Sequence, residues 1–122
     1  MKYKSSTEGR EIVKPDYRKK IIFSLDDFDE KGHLLQVVTI PPNTRQRLHS
    51  HARQTEVFYI LEGEAIIRIN DADTLAKPGD AFICSPGDVH NVWNQTDNDF
   101  RLVVFKINLP EGEEDSDWHE GS

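Results

Sequence analysis

Three histidines and one glutamate stand where their side chains could share an ion. His49-Ser50-His51 places two imidazoles at alternate positions, so an extended segment projects both from one face. Glu56 follows after four intervening residues, across what must be a bend, and adds a carboxylate. His90 lies far along the chain, just after the turn Pro86-Gly87-Asp88. Three neutral imidazoles and one carboxylate suit a borderline divalent ion such as zinc, manganese, iron, nickel or cobalt. Calcium fits poorly, because it prefers oxygen ligands throughout. The His-x-His pair alone is weak: with five histidines, chance supplies roughly 0.2 such pairs in a chain of this length. Taken by itself it reads equally well as surface histidines on a polar strand.

The elements that must position these residues read as strands. From Lys19 onward, short runs of Ile, Val, Phe and Tyr alternate with turn residues, and nothing holds a helical period for long. The expected strands are Lys20–Ser24, Leu34–Ile40, Thr44–His51, Glu56–Leu61, Ala65–Ile69, Ala81–Cys84, Val89–Asn94 and Phe100–Asn108. Pro41-Pro42-Asn43, Glu62-Gly63, Asp71-Ala72-Asp73, Pro78-Gly79-Asp80 and Pro86-Gly87-Asp88 supply the turns between them. So many short strands imply an all-β sandwich or barrel, and closure would remove exposed edges. The division expected is an N-terminal arm over residues 1–18, one barrel domain over 19–109 and an acidic disordered tail over 110–122.

The spacing around the histidine pair is more specific than the pair. His49-x-His51-x4-Glu56-x6-Gly63, followed by Gly79-x5-Ser85-Pro86-Gly87-x2-His90-x3-Asn94, closely resembles the two signature motifs of the cupin superfamily. The second motif usually has proline where Ser85 stands, which touches no ligand position but bears on the turn. The resemblance covers about Leu34 to Ile107. It implies a double-stranded β-helix, a jelly-roll barrel, holding a divalent transition metal ion inside through His49, His51, Glu56 and His90. Small cupins commonly dimerise through N-terminal strands, so it also implies a homodimer, with Ile12 and Val13 or Ile21 and Phe23 near the contact.

A metal held by four protein ligands keeps a position open for substrate, as catalytic sites do and closed structural sites do not. Expected cavity-wall residues are Gln36, Arg47, Gln54, Phe58, Phe82, Trp93 and Phe105. Arg47 shares the parity of His49 and His51: it either faces inward to hold an anionic group or sits at the mouth in solvent. Cys84 reads as a buried small hydrophobe, and His33 and His119 as surface residues. The resemblance leaves two readings. One is a metalloenzyme of isomerase, dioxygenase or lyase class acting on a small oxygenated metabolite. The other is a non-catalytic metal-containing module that binds or senses a small molecule.

Composition narrows the partners. The chain has 122 residues, of which 36% are hydrophobic and 30% charged, and carries a net charge of -7. Six acidic residues and no Lys or Arg follow Pro110, whereas the first twenty residues hold seven Lys or Arg. That basic arm lacks the aromatic interleaving of a nucleic-acid surface, so no nucleic-acid partner is expected. The longest apolar run, Val57 to Leu61, is far short of the ~20 residues a membrane helix needs, so no membrane association is expected. The first ten residues show no apolar signal segment, which predicts a cytoplasmic address. One cysteine excludes an intrachain disulfide.

Overall fold

A computed structural model of the chain describes residues 1–112 and 115–119. Residues 113, 114 and 120–122 of the expected tail lie outside the described residues. Twelve strands and one 3-10 turn (Leu25–Asp27) make up the described elements: β1 (Arg10–Val13), β2 (Arg18–Phe23), β3 (Leu34–Ile40), β4 (Thr44–Arg45), β5 (His49–His51), β6 (Thr55–Glu62), β7 (Ala65–Ile69), β8 (Ala72–Ala76), β9 (Ala81–Cys84), β10 (His90–Asn94), β11 (Phe100–Ile107) and β12 (Ser116–Trp118). One sheet runs β1-β2-β3-β11-β6-β9; the other runs β12-β5-β10-β7-β8, with β4 beside β10. Each strand pair is antiparallel. This is the jelly-roll barrel that the resemblance implied. No helix among the described residues is long and apolar enough to cross a membrane.

Alternation decides what the barrel contains. Phe100, Leu102, Val104 and Lys106 of β11 are buried, while the residues between them are not. Register then sets three rows across the inner face of the first sheet. They are Leu34–Lys106–Glu56–Cys84, Gln36–Val104–Phe58–Phe82 and Val38–Leu102–Ile60. Ile67 and Val92 face them from the second sheet and belong to the same buried core as Val38, Phe58, Ile60 and Leu102. Burying each such side chain contributes about 1.5–3 kcal/mol.

Turn chemistry explains the strand ends. Asn70 and Asp71, both at positive φ (47° and 67°), make the two-residue hairpin that joins β7 to β8. The expected turn at Asp71-Ala72-Asp73 therefore falls one residue earlier, and Ala72–Ala76 is a strand. Gly63 turns β6 into β7 at φ 81°, and a Cβ there would sit 2.5 Å from the Asp99 carbonyl oxygen. The stretch Thr44–His51 is not one strand: between β4 and β5, the Arg47 amide turns aside to the Asp16 carboxylate at 2.8 Å. The arm and the tail are also more structured than their composition suggests. β1 pairs with β2 at the edge of the first sheet, and β12 pairs with β5 at the edge of the second.

Candidate metal centre

Three strands from two sheets, and one turn, bring the four predicted ligands together. His49 and His51 occupy β5, His90 opens β10 directly opposite His49, and Glu56 reaches across from β6 in the other sheet. Between β9 and β10, Asp88 accepts the Ser85 amide at 2.9 Å, and the Gly87 amide donates to the His51 carbonyl at 2.8 Å. That second bond fastens the His-x-His strand to the turn that launches His90. Serine at position 85 leaves this turn intact: Asp80 accepts the Lys77 amide in the same way in the preceding Pro-Gly turn.

All four side chains are buried, and their candidate ligand atoms lie within 4.8 Å of one another, so they could hold a metal ion. Backbone carbonyls fix the ring orientation. Nδ1 of His49 donates to the Arg47 carbonyl at 3.1 Å, and Nδ1 of His90 to the Asp88 carbonyl at 3.0 Å. Nδ1 of His51 donates to the Asp115 carbonyl at 3.3 Å. A neutral imidazole that donates through Nδ1 presents the lone pair of Nε2, so these carbonyls aim three Nε2 lone pairs inward.

Those lone pairs meet a carboxylate. Glu56 Oε1 lies 2.6 Å from His51 Nε2 and 3.1 Å from His90 Nε2. His51 Nε2 is buried and makes no hydrogen bond of acceptable geometry. Lone pairs and a carboxylate at these separations coexist only with a cation among them, either a proton or a metal ion. The set therefore fits a divalent transition metal: three nitrogens and one oxygen, sheltered from water and oriented by outer hydrogen bonds. Burial, with His90 beside it, pushes the His49 imidazole down to about 3, so it is neutral and ready to ligate at neutral pH. Burial alone would raise the Glu56 carboxyl, but His51, His90 and Lys106 together hold it well below its ordinary value.

A cavity of about 510 Å³ opens onto this cluster. Gln36, Arg47 and Phe58 line it, as expected. Trp93 does not: it is outward on β10, with the Arg45 guanidinium 4.7 Å above its ring. Phe105 has outward parity on β11 and stacks on His33 at 5.7 Å, which makes His33 half-buried. Phe82 packs against the core, and Gln54 is buried without lining the cavity. Arg47 stands at the mouth, half-exposed and bound through Nε and Nη2 to Asp16 at 3.0 and 3.1 Å. His119 is not a bare surface residue, since its Nε2 lies 2.8 Å from Ser50 Oγ. Cys84 is buried beside Glu56, and burial with that carboxylate pushes its thiol up, as an inert core thiol requires.

Sequence reasoning missed three residues around the site. Lys106 lines the cavity next to Glu56; it is the only charged residue among the inward positions of β11, and that parity was its signal. Asp115 supplies the carbonyl behind His51 and caps the Arg53 and Gln54 amides with its carboxylate at 2.9 and 3.0 Å. Trp118 lays its ring 4.9 Å from His49 and 4.0 Å from the Arg47 guanidinium. Neither tail residue carries a local signal.

Comparison with known proteins agrees with the geometry. The family model described as "Cupin domain" matches residues 36–106, more than half of the chain. The chain belongs to the cupin family. A cupin-sized relative, the oxalate-binding protein of Thermotoga maritima, is 31% identical over 88 residues, covering 70% of this chain and 73% of that one. The solved structure of a predicted oxalate decarboxylase from Thermotoga maritima superposes with a TM-score of 0.76 at 26% identity, covering 88% of this cupin and 98% of that chain. The polyketide cyclase RemF from Streptomyces resistomycificus shares the fold at 20% identity, with a TM-score of 0.76 and coverage of 88% and 80%.

Proposed function

We propose that this cupin holds one divalent transition metal ion through His49, His51, Glu56 and His90 and uses it to bind a small oxygenated metabolite. The observation that carries the reading is the trio of Nδ1–carbonyl bonds, which turns three Nε2 atoms toward the Glu56 carboxylate. When bound, the ion would act as a Lewis acid on a ligand oxygen. The chain's own residues do the rest. Phe58, Val92 and Val104 line the cavity beside the cluster and exclude water from it. Arg47 cannot serve as a free anchor while its guanidinium is committed to Asp16, so it braces the mouth instead. An enzyme of isomerase, dioxygenase or lyase class is the first reading. A binding module without turnover is the second, favoured by the Thermotoga maritima relative that is named for binding oxalate.

Elemental analysis of protein purified without chelators should find about one transition metal per chain, and none in His51→Ala. A metal-free protein that takes up no zinc, manganese, iron, nickel or cobalt on titration overturns the proposal. Oxalate, keto acids, diols and sugar phosphates incubated with each metal form then separate the two readings: product marks the enzyme, saturable binding without product the module.

A cytoplasmic homodimer belongs to the same proposal. β1 is a sheet edge with Val13 76% exposed, which supports pairing through the N-terminal strands. Ile21, by contrast, is buried within its own barrel and offers nothing to a partner. A monomer mass from light scattering at high micromolar concentration contradicts the dimer.

A further inference from the structure

The outer face of the first sheet is apolar where alternation calls for polar residues. An antiparallel sheet with one face in water reads hydrophobic inward and polar outward, whereas a strand covered on both faces reads as a continuous hydrophobic run. β6 holds such a run from Val57 to Leu61, the longest in the chain. Phe58 and Ile60 belong to the core, which leaves Val57, Tyr59 and Leu61 pointing outward. Register extends the outward set into two rows across the sheet, Ile83–Val57–Phe105 and Tyr59–Val103–Val37. Phe28 and His33, from the loop after β2, cover one corner by packing on Phe105 at 6.3 and 5.7 Å. At the opposite margin, Ile83 and Tyr59 are 64% and 49% exposed. The outer face of the second sheet is more polar: Arg68 pairs with Asp73 at 2.7 Å, and Arg45 lies over Trp93.

Size and charge select what could cover this face. Five adjacent strands, β2-β3-β11-β6-β9, span roughly 20 Å across and about 27 Å along β6 and β11. That plan area, on the order of 500 Å² before side-chain relief, approaches the roughly 600 Å² per partner at which specific interfaces begin. A single docked peptide strand is only about 5 Å wide and would leave most of the face wet. A second sheet of the same width fits it, packed about 10 Å away at about -30°. The rim points the same way. Arg101 is bound to Glu62 at 3.4 Å and Arg18 to Asp99 at 3.2 Å, so the polar end of the face is neutralised within the chain. Two copies, each of net charge -7, can meet there without repulsion, and a strongly charged partner finds nothing to pair with. We propose that the outer face of the first sheet is the contact between two copies of this chain, packed face to face about a two-fold axis. This inference rests on the homodimer reading for its partner and differs from it in the surface used. Pairing through β1 would lengthen the sheet and leave this face in water.

The test is sedimentation equilibrium of the full chain carrying single lysine substitutions at exposed positions, each checked for folding by circular dichroism. Wild type should be dimeric at micromolar concentration. A two-fold axis brings each new charge into the interface twice, so Ile83→Lys and Tyr59→Lys should each raise the dimer dissociation constant about hundredfold or more. Each lysine also lowers the net negative charge of a copy, so general repulsion cannot explain a weaker dimer. Leu75→Lys, on the outer face of the second sheet, and Val13→Lys, on the β1 edge, should change the constant by less than about threefold. A dimer that survives both face substitutions overturns this inference alone; if Val13→Lys breaks it, the strand edge is the contact. Equal weakening by Leu75→Lys also overturns it, because the effect would then not belong to this face. A wild type that stays monomeric at high micromolar concentration overturns both the homodimer and this inference, and leaves the face to a different protein. Ile83 and Tyr59 lie on neighbouring strands, so either variant decides the matter if the other fails to fold.

Discussion

The two ends of the barrel interior treat buried polar groups in opposite ways. At the far end, Asn94 is completely buried, yet its side chain is fully engaged. Its Nδ2 lies 2.7–3.1 Å from the carbonyls of Ile40, Pro41 and Asn98, and its Oδ1 accepts the Thr96 amide and hydroxyl at 3.0 and 2.7 Å. At the end that holds the histidine cluster, His51 Nε2 and Gln36 Oε1 are buried without a hydrogen bond. Both ends sit in one continuous fold with the same apolar rows between them. What differs is whether the chain closes its own hydrogen bonds. The closed network adds stability, whereas the open Nε2 of His51 fits a cluster that could hold a cation.

Breaking each end separately should sharpen that contrast. Asn94→Ala leaves several buried backbone groups unsatisfied and should cost about 3 kcal/mol in urea unfolding, without changing the metal affinity of the folded protein. His90→Ala should do the reverse. Outer hydrogen bonds to metal ligands alone are worth about 10- to 100-fold in affinity, so losing a ligand should cost roughly a hundredfold or more. Chelator competition measures both variants. An Asn94→Ala protein that keeps its stability but loses metal would erase the distinction between the two ends.

How much of this was legible in the sequence follows from where the signals are local. The alternation of β3, β6 and β11 is strong because each has one face in the core, and the fold class follows from it. β8 was missed because four of its five residues are exposed, which erases the alternation an edge strand would need to be seen. The clustering of His49, His51, Glu56 and His90 was legible because their spacing is tied to two turns. The cavity wall was not: Trp93 and Phe105 were expected inside, whereas the parity of their strands turns both outward. Parity would also have found Lys106. Asp115 and Trp118 could not be found, because a short acidic segment says nothing about the strand edge it will meet.

Acid should separate the two ends without any substitution. Unfolded imidazole titrates near 6.5, whereas His49 in the folded protein sits at about 3. Between those values the unfolded chain binds the extra proton. The stability linked to neutral His49 is therefore complete above about pH 6.5 and is lost as pH falls toward about 3. Glu56 has the same sign: its contribution is present above the ordinary carboxylate range and fades as pH drops below it. Metal-free protein should lose stability on acidification, by at most about 1.4 kcal/mol per pH unit for one proton. His49→Gln should flatten the profile across that window, whereas Asn94→Ala should lower it everywhere and keep its slope. An unchanged slope in His49→Gln would remove the buried neutral imidazole from the account.

The smallest effect expected is also the one that composition hides most completely. The acidic tail touches two histidines of the cluster from outside, through the Asp115 carbonyl on His51 Nδ1 and the Trp118 ring against His49. Ending the chain after Gly112 removes both contacts and uncovers the edge of β5. Metal affinity should then fall about tenfold, the low end for an outer-shell partner, and Trp118→Ala should give a smaller part of that loss. Truncation also deletes acidic residues that attract any cation, so contact and charge must be told apart. Salt does this: at about 1 M ionic strength the screening length falls to about 3 Å, which suppresses long-range attraction and leaves a hydrogen bond behind His51 in place. If the tail acts by orienting ligands, the tenfold gap between full-length and truncated protein persists at high salt. A gap that closes with salt would make the tail an electrostatic lure and leave the orientation of His51 to the barrel alone.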